Sequence, residues 1–392
     1  MEFAESLSRR EKTTEALDEI LSEVKESLSG TTPDLGFLFF SHDHADGLQQ
    51  AVERIRTETG VKTLLGCTAE SIIGSGREVE RATSMCLWMA SLPGSQITPF
   101  KLRCDQTEDG FSFPLEPEDV FRDAGENAVV LLLGDPFSVP VDVFIRRLNE
   151  EYPGLPVVGG MASGASQPDE NLLVRDDDVL RLGAVGVVIS GGVSVHTVVS
   201  QGCRPVGKPM VVTACDRNAL QKLGGRPAIA CLQELFASLS AEDRQLFQSA
   251  PHIGIVMNER QDSFGPGDFL IRNVIGVDQE NGALFVGDYL RRGQTVQFHV
   301  RDGQAASDDL AALLEVETKR GRPAAVGALM FSCNGRGTRL FTDPDHDIAA
   351  VHRALGRIPI AGFFAQGELG PIGARNHLHG FTTCLALFSE AE

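Results

Sequence analysis

A chain of 392 residues exceeds the size at which a single hydrophobic core keeps growing, so two or three packed units are expected. Hydrophobic residues at 42% and charged residues at 23% fit a globular protein that buries a core. The 35 basic side chains against 54 acidic ones leave a net charge of −19, which repels nucleic-acid phosphates and anionic headgroups and argues against both as partners.

The first 26 residues are charged and lack the apolar stretch of a signal peptide. No run of roughly 18 apolar residues occurs, so no membrane-spanning helix is expected. Eight cysteines are scattered without a C-x-x-C pair, which is neither a disulfide framework nor a zinc ribbon. The reducing cytoplasm is the expected location, and no cofactor is expected.

Leu17, Ile20, Leu21, Val24 and Leu28 recur at helical spacing, and Gly30 and Pro33 end that helix. A repeat follows: apolar strand, loop, amphipathic helix, second strand, then a turn of glycine and small residues. The first copy begins at Leu35–Phe40 and reaches "VKTLLGCTAESIIG", residues 61–74. The second begins at 128–133 and reaches "LPVVGGMASG", residues 155–164. The third begins at 324–331 and reaches "IPIAGFFAQGELG", residues 358–370. Each is followed by a further strand-like segment: "ATSMCLWMASL", "LGAVGVVISGG" and "FTTCLALF".

Between the second and third copies, Val185 to Ile189 is expected to pair with Val193 to Val199 across Gly191-Gly192. Phe269 to Val277 is expected to pair with Leu284 to Val286 across Asn281-Gly282. Thr295 to Arg301 alternates as a strand, and residues 227–249 read as helices. The polar stretch near Gly224-Gly225 sets a boundary. The expected fold is mixed α/β: a helix over 1–30 and two related domains over 31–220 and 221–392, with mixed sheets covered by helices.

Ligands of α/β sheets bind beyond the carboxyl ends of strands, where all three turns fall. Those turns place Gly66, Cys67, Thr68 and Glu70, then Gly159, Gly160, Met161 and Ser163, then Gln366, Gly367 and Glu368. Side-chain-poor backbone there admits a ligand and leaves amide donors free; equally, it serves tight packing. In "FSCNGRGTRL", Cys333 and Asn334 precede Arg336, which stands between Gly335 and Gly337. Arg336 and Glu368 suit a zwitterion such as an amino acid, or pair with each other as structural charges.

Other chemistries compete. His42, Asp43, His44 and Asp46 form a metal-like cluster, but no second cluster matches it, and a polar loop is the plainer reading. Cys67 or Cys333 with His377 or His379 forms a nucleophilic pair on paper, although no spacing defines a triad. A cysteine-dependent enzyme and an interaction scaffold with a filled pocket therefore stand as alternatives to a binding module.

"LLGCTAESIIGSGREVE", residues 64–80, resembles the signature of FIST N-terminal domains, with Ser71 where glycine is common. "PVVGGMASG" is similar to a second glycine element of that domain. "LFVGDYLRRGQTVQFHVRD", "FSCNGRGTRLF" and "PIAGFFAQGELGPIGARNHLHGFTTCLALF" resemble the FIST C-terminal domain. The resemblance implies a small-ligand sensory module in signal transduction, with amino acids as proposed ligands and no catalytic residues to carry over. It also implies a protein partner that receives the signal.

Overall fold

The segments that open the three repeats, Leu35–Phe40, Val129–Gly134 and Gly327–Cys333, are apolar along nearly their whole length and buried. Unbroken apolar runs of this length belong to strands covered on both faces. Each leads into a helix with one apolar stripe. Leu48–Thr59 buries Leu48, Ala51, Val52 and Ile55; Val141–Glu151 buries Val141, Phe144, Ile145 and Leu148; His346–Leu355 buries Ile348, Ala350 and Val351. A helical crossover returns the chain parallel to its start. Thr63–Thr68, Val157–Met161 and Ile360–Ala365 accordingly pair in parallel with the leading strands.

A return strand then lies antiparallel on the other side of each leading strand: Met85–Ser91, Ala184–Gly191 and Thr382–Glu390. Between following strand and return strand, each repeat sends a short segment into another repeat's sheet. Ser71–Gly74 pairs with Ile360–Ala365 of the third repeat. Leu173–Arg175 pairs with Thr63–Thr68 of the first. Glu368–Ile372 pairs with Val157–Met161 of the second. The exchange closes into a ring, so each sheet reads return, leading, following and borrowed strand in order. Outer strands Glu2–Ser8, Ser95–Leu102 and Val193–Gln201 flank the return strands.

The three sheets share one apolar core, to which Phe39 and Trp88, Leu131 and Val187, and Phe331 and Phe363 contribute from the three repeats. Their opposite faces pack under helices in separate clusters. This is the mixed α/β, helix-covered architecture expected from the sequence.

The structure is a computed structural model that describes residues 1–391 except 109, 126, 250, 262 and 266. It divides into one unit of residues 1–199, 310–378 and 382–392, which holds the three repeats, and a second of residues 200–309 with 379–381. The second unit's strands are antiparallel. Cys203–Asp216 pairs both with Thr295–Arg301 and with Ala219–Leu223, which closes the sheet on itself. Helices Ala228–Ser238 and Ala241–Ser249 belong to this unit, and Phe269–Asp278 pairs with Ala283–Val286 as the Asn281-Gly282 turn predicts.

Two local expectations are corrected. Ala184–Gly191 and Val193–Gln201 are not hairpin partners: the first is central in the second repeat's sheet and the second lies beside Thr382–Glu390. Two adjacent strands with a Gly-Gly turn satisfy hairpin chemistry, but each pairs within a different repeat's sheet instead. The helix expected over residues 1–30 spans Thr13–Ser27 instead, and Glu2–Ser8 is a strand whose alternate residues are buried.

Candidate functional site

Within the repeat unit, the three glycine turns converge. The Ser163 amide donates to the Thr68 carbonyl at 3.2 Å. The Ser163 hydroxyl accepts the Glu70 amide at 3.0 Å and donates to the Phe364 carbonyl. The Met161 amide donates to the Gly367 carbonyl at 2.9 Å, and the Gln366 amide donates to the Met161 carbonyl at 3.0 Å. Main-chain bonds thus stitch together three segments that are nearly 300 residues apart at the extremes.

The glycines inside the strands have a packing role. A Cβ on Gly66 would lie 2.3 Å from the Leu38 carbonyl oxygen, and one on Gly159 would lie 1.9 Å from that of Leu132. The equivalent Gly362 would meet the Met330 oxygen at 1.7 Å. Each of these glycines is the register partner of the residue it would strike. Gly160 would meet the Ala365 Cβ at 2.8 Å, so the centre of the convergence is filled by direct contact. Cys67 is buried in the shared core, and burial pushes its thiol well above the ordinary range. The Thr68 hydroxyl donates to Asn171 Oδ1 at 3.1 Å.

The accessible part is the rim, where Glu70, Cys333, Asn334, Gly335 and Gly367 are half-buried and Gln366 and Arg339 are exposed. Arg339 clasps Glu70 with two nitrogens, at 2.9 and 2.8 Å, and donates to the Asn334 carbonyl at 2.7 Å. Asn334 Oδ1 is buried without a hydrogen-bond partner.

Arg336 points inward instead. It is fully buried and makes a two-point pair with Asp347, Nε to Oδ2 at 2.6 Å and a terminal nitrogen to Oδ1 at 2.9 Å. Thr383 and Ser332 also donate to that carboxylate. Burial opposes the charge on Asp347, but the Arg336 charge and the hydrogen bonds from His346, Arg336 and Thr383 overcome it and hold the carboxyl far below its usual range. The partner is therefore Asp347, not Glu368. Gly337 makes this geometry possible: its φ is +59°, and a Cβ there would lie 2.6 Å from Glu80 Oε1. The Glu80 carboxylate accepts the Thr338 amide at 2.8 Å and hydroxyl at 2.6 Å.

Glu368 is fully buried near Arg336. Its Oε2 accepts the Thr382 amide at 3.1 Å and its Oε1 has no hydrogen-bond partner. Burial pushes its pKa up to about 8, against the pull of the Thr382 amide, the Cys333 thiol and the Arg336 charge. Glu78 is raised to about 8 by burial and by the Asp347 charge, while the Ile348 amide and Arg336 act in the other direction. The buried part of the site therefore contains one charged pair and two carboxyls kept neutral near pH 7.

Sequence reasoning missed Arg339, Asp347 and Glu78, although Arg339 and Glu78 lie inside quoted motifs. Gly335 and Gly337 flank Arg336 and mark it in the sequence, whereas Arg339 carries no such flanks. His44 bonds Thr13 at 3.1 Å and Asp43 bonds Ser41 at 2.9 Å. Residues 42–47 form a short 3-10 turn rather than a strand, so the alternation that would put His42 and His44 on one face does not apply. Cavities of about 950 Å³, lined in part by Lys101, Leu115 and Leu180, and about 620 Å³, lined in part by Phe121 and Tyr152, open elsewhere in this unit.

Comparison with known proteins returns the FIST N domain over residues 34–226 and the FIST C domain over 228–371. An uncharacterized protein of Mycobacterium tuberculosis is 39% identical over 378 residues, covering 95% of this chain and 96% of the relative. An uncharacterized protein of Mycobacterium bovis is 38% identical over 379 residues, covering 95% of each.

Proposed function

Because this chain belongs to the FIST family, we propose that it is a small-ligand sensory module that binds a zwitterion, such as an amino acid, at the rim of the three turns. The observation that carries this reading is the two-point Glu70–Arg339 pair, which joins the first repeat's turn to the third repeat's loop. A zwitterion offers a carboxylate to Arg339 and an ammonium group to Glu70, so each residue exchanges one opposite charge for another. The Glu70 and Arg339 side chains are 31% and 40% exposed, a setting in which an ion pair contributes about 0–1 kcal/mol. Opening it therefore costs little.

Gln366, Gly367, Cys333 and Asn334 supply the surrounding polar wall, and the orphaned Asn334 Oδ1 accepts a ligand donor. Arg336 and Glu368 support this wall from beneath. Ligand exchange at Glu70–Arg339 shifts the first and third repeats' loops relative to each other, and a signalling partner protein reads that change.

Thermal unfolding against a panel of amino acids and small carboxylates tests the proposal. A ligand at about a hundred times its Kd stabilises the folded state by about 2.7 kcal/mol, a clear rise in Tm. Arg339→Gln removes an exposed guanidinium and is expected to abolish the rise without lowering the unliganded Tm. A flat response across the panel at millimolar concentrations rejects the reading.

A further inference from the structure

Cys333 ends the third repeat's leading strand as a half-buried thiol. The Gly335 amide donates to its Sγ at 3.4 Å. The guanidinium groups of Arg336 and Arg339 both interact electrostatically with it. Its thiol hydrogen-bonds the carboxyl of Glu368, a fully buried side chain whose Oε1 has no hydrogen-bond partner. Cationic neighbours and amide donors favour a thiolate, the nucleophilic form of cysteine.

Cys67, Cys86 and Cys384 are sealed in the core with thiols pushed well above the ordinary range, chiefly by burial. Cys104 and Cys215 are partly accessible, but partial burial and the adjoining Asp105 and Asp216 raise their thiols. They serve as internal standards.

We propose that Cys333 is a nucleophilic site that captures small carboxylate-bearing disulfides, with Glu368 donating the proton that the departing thiolate takes up. The Cys333 sulfur attacks one sulfur of the reagent, a new S–S bond forms, and the reagent's own S–S bond breaks. The electron pair leaves with the second sulfur, which takes the Glu368 proton and departs as a free thiol. The step consumes the sulfur's negative charge and the Glu368 proton together, leaving an S–S bond and a Glu368 carboxylate, and the carboxylate carried in on the captured half pairs with Arg339 at the rim. Glu368 is suited to this task because burial keeps it protonated up to about pH 8. Arg339, exposed at the rim, draws the reagent's carboxylate. The site overlaps the rim assigned above to a zwitterion, but capture does not require that reading, because it is measured with no metabolite present.

The full-length protein is treated with anionic dithiodiglycolate or cationic cystamine, and each cysteine's modification is followed by peptide mass spectrometry. Cys333 is expected to react about ten-fold or more faster than Cys104 and Cys215. It is also expected to favour dithiodiglycolate, although the net charge of −19 disfavours anions in general. Arg339→Gln is expected to cancel that preference. Glu368→Gln, which keeps the shape of the protonated carboxyl, is expected to slow dithiodiglycolate about ten-fold or more. Its reaction with dithiobis(nitrobenzoate), whose thiolate departs without a proton, is expected to stay fast. Equal rates at Cys333, Cys104 and Cys215 in the unsubstituted protein overturn the proposal, as does equal reactivity of Cys333 toward both charged reagents. Both readouts need no variant, so a Glu368→Gln protein that fails to fold leaves the test intact.

Discussion

Glu78, Asp347 and Glu368 surround Arg336 in a region closed to solvent, and their neighbours set three carboxyls of similar intrinsic acidity apart. Asp347 takes the guanidinium's two-point grip and is ionised. The backbone amides that reach Glu78 and Glu368 offset too little of their lost hydration. Both have folded-state pKa values raised from 4.5 to about 8. A raised value means the folded state holds protons that the unfolded chain has released, so stability falls as pH rises across that window. Denaturant unfolding between pH 4.5 and 8 is expected to show a decline of about 1 kcal/mol per pH unit for each group, and Glu78→Gln with Glu368→Gln is expected to flatten it. Arg336 was legible in the sequence as a special arginine, but its partner was not, because Asp347 approaches from a helix whose rotation depends on packing.

At the scale of elements, three parallel strand pairs were readable from apolar runs and helical periodicity. The reason for their glycines was not. Gly66, Gly159 and Gly362 stand opposite Leu38, Leu132 and Met330, each where a Cβ would strike a carbonyl oxygen. Sequence spacing marked the turns as open backbone, whereas the strands use the missing side chains for close approach. Gly362→Ala is expected to cost about 3 kcal/mol or more, because backbone rather than a side-chain tip must move. Gly380→Ala, where a Cβ meets nothing within 4 Å, is expected to stay within about 0.5 kcal/mol. Urea midpoints of the two variants check the contrast.

For the whole molecule, the ring of borrowed strands ties the stability of each repeat to the others. Ser71–Gly74, Leu173–Arg175 and Glu368–Ile372 each complete a foreign sheet, and all three sheets share one core. Residues 200–309 have a separate core around Val212, Leu284 and Phe298. Gly159→Ala is therefore expected to speed hydrogen exchange in Leu35–Phe40 and Gly327–Cys333, outside its own repeat, while His252–Val256 keeps its protection. Mass-spectrometric exchange distinguishes this from damage confined to the second repeat. By itself the sequence determined the leading, following and return strands, the helices between them, the repeat units and the glycine turns, because hydrophobic period and turn chemistry are local properties of the chain. Only the tertiary structure decided which repeat receives each borrowed strand, that Asp347 takes Arg336, and that Arg339 occupies the rim. Those outcomes depend on contacts between segments far apart in sequence, where burial and charge compete for the same space.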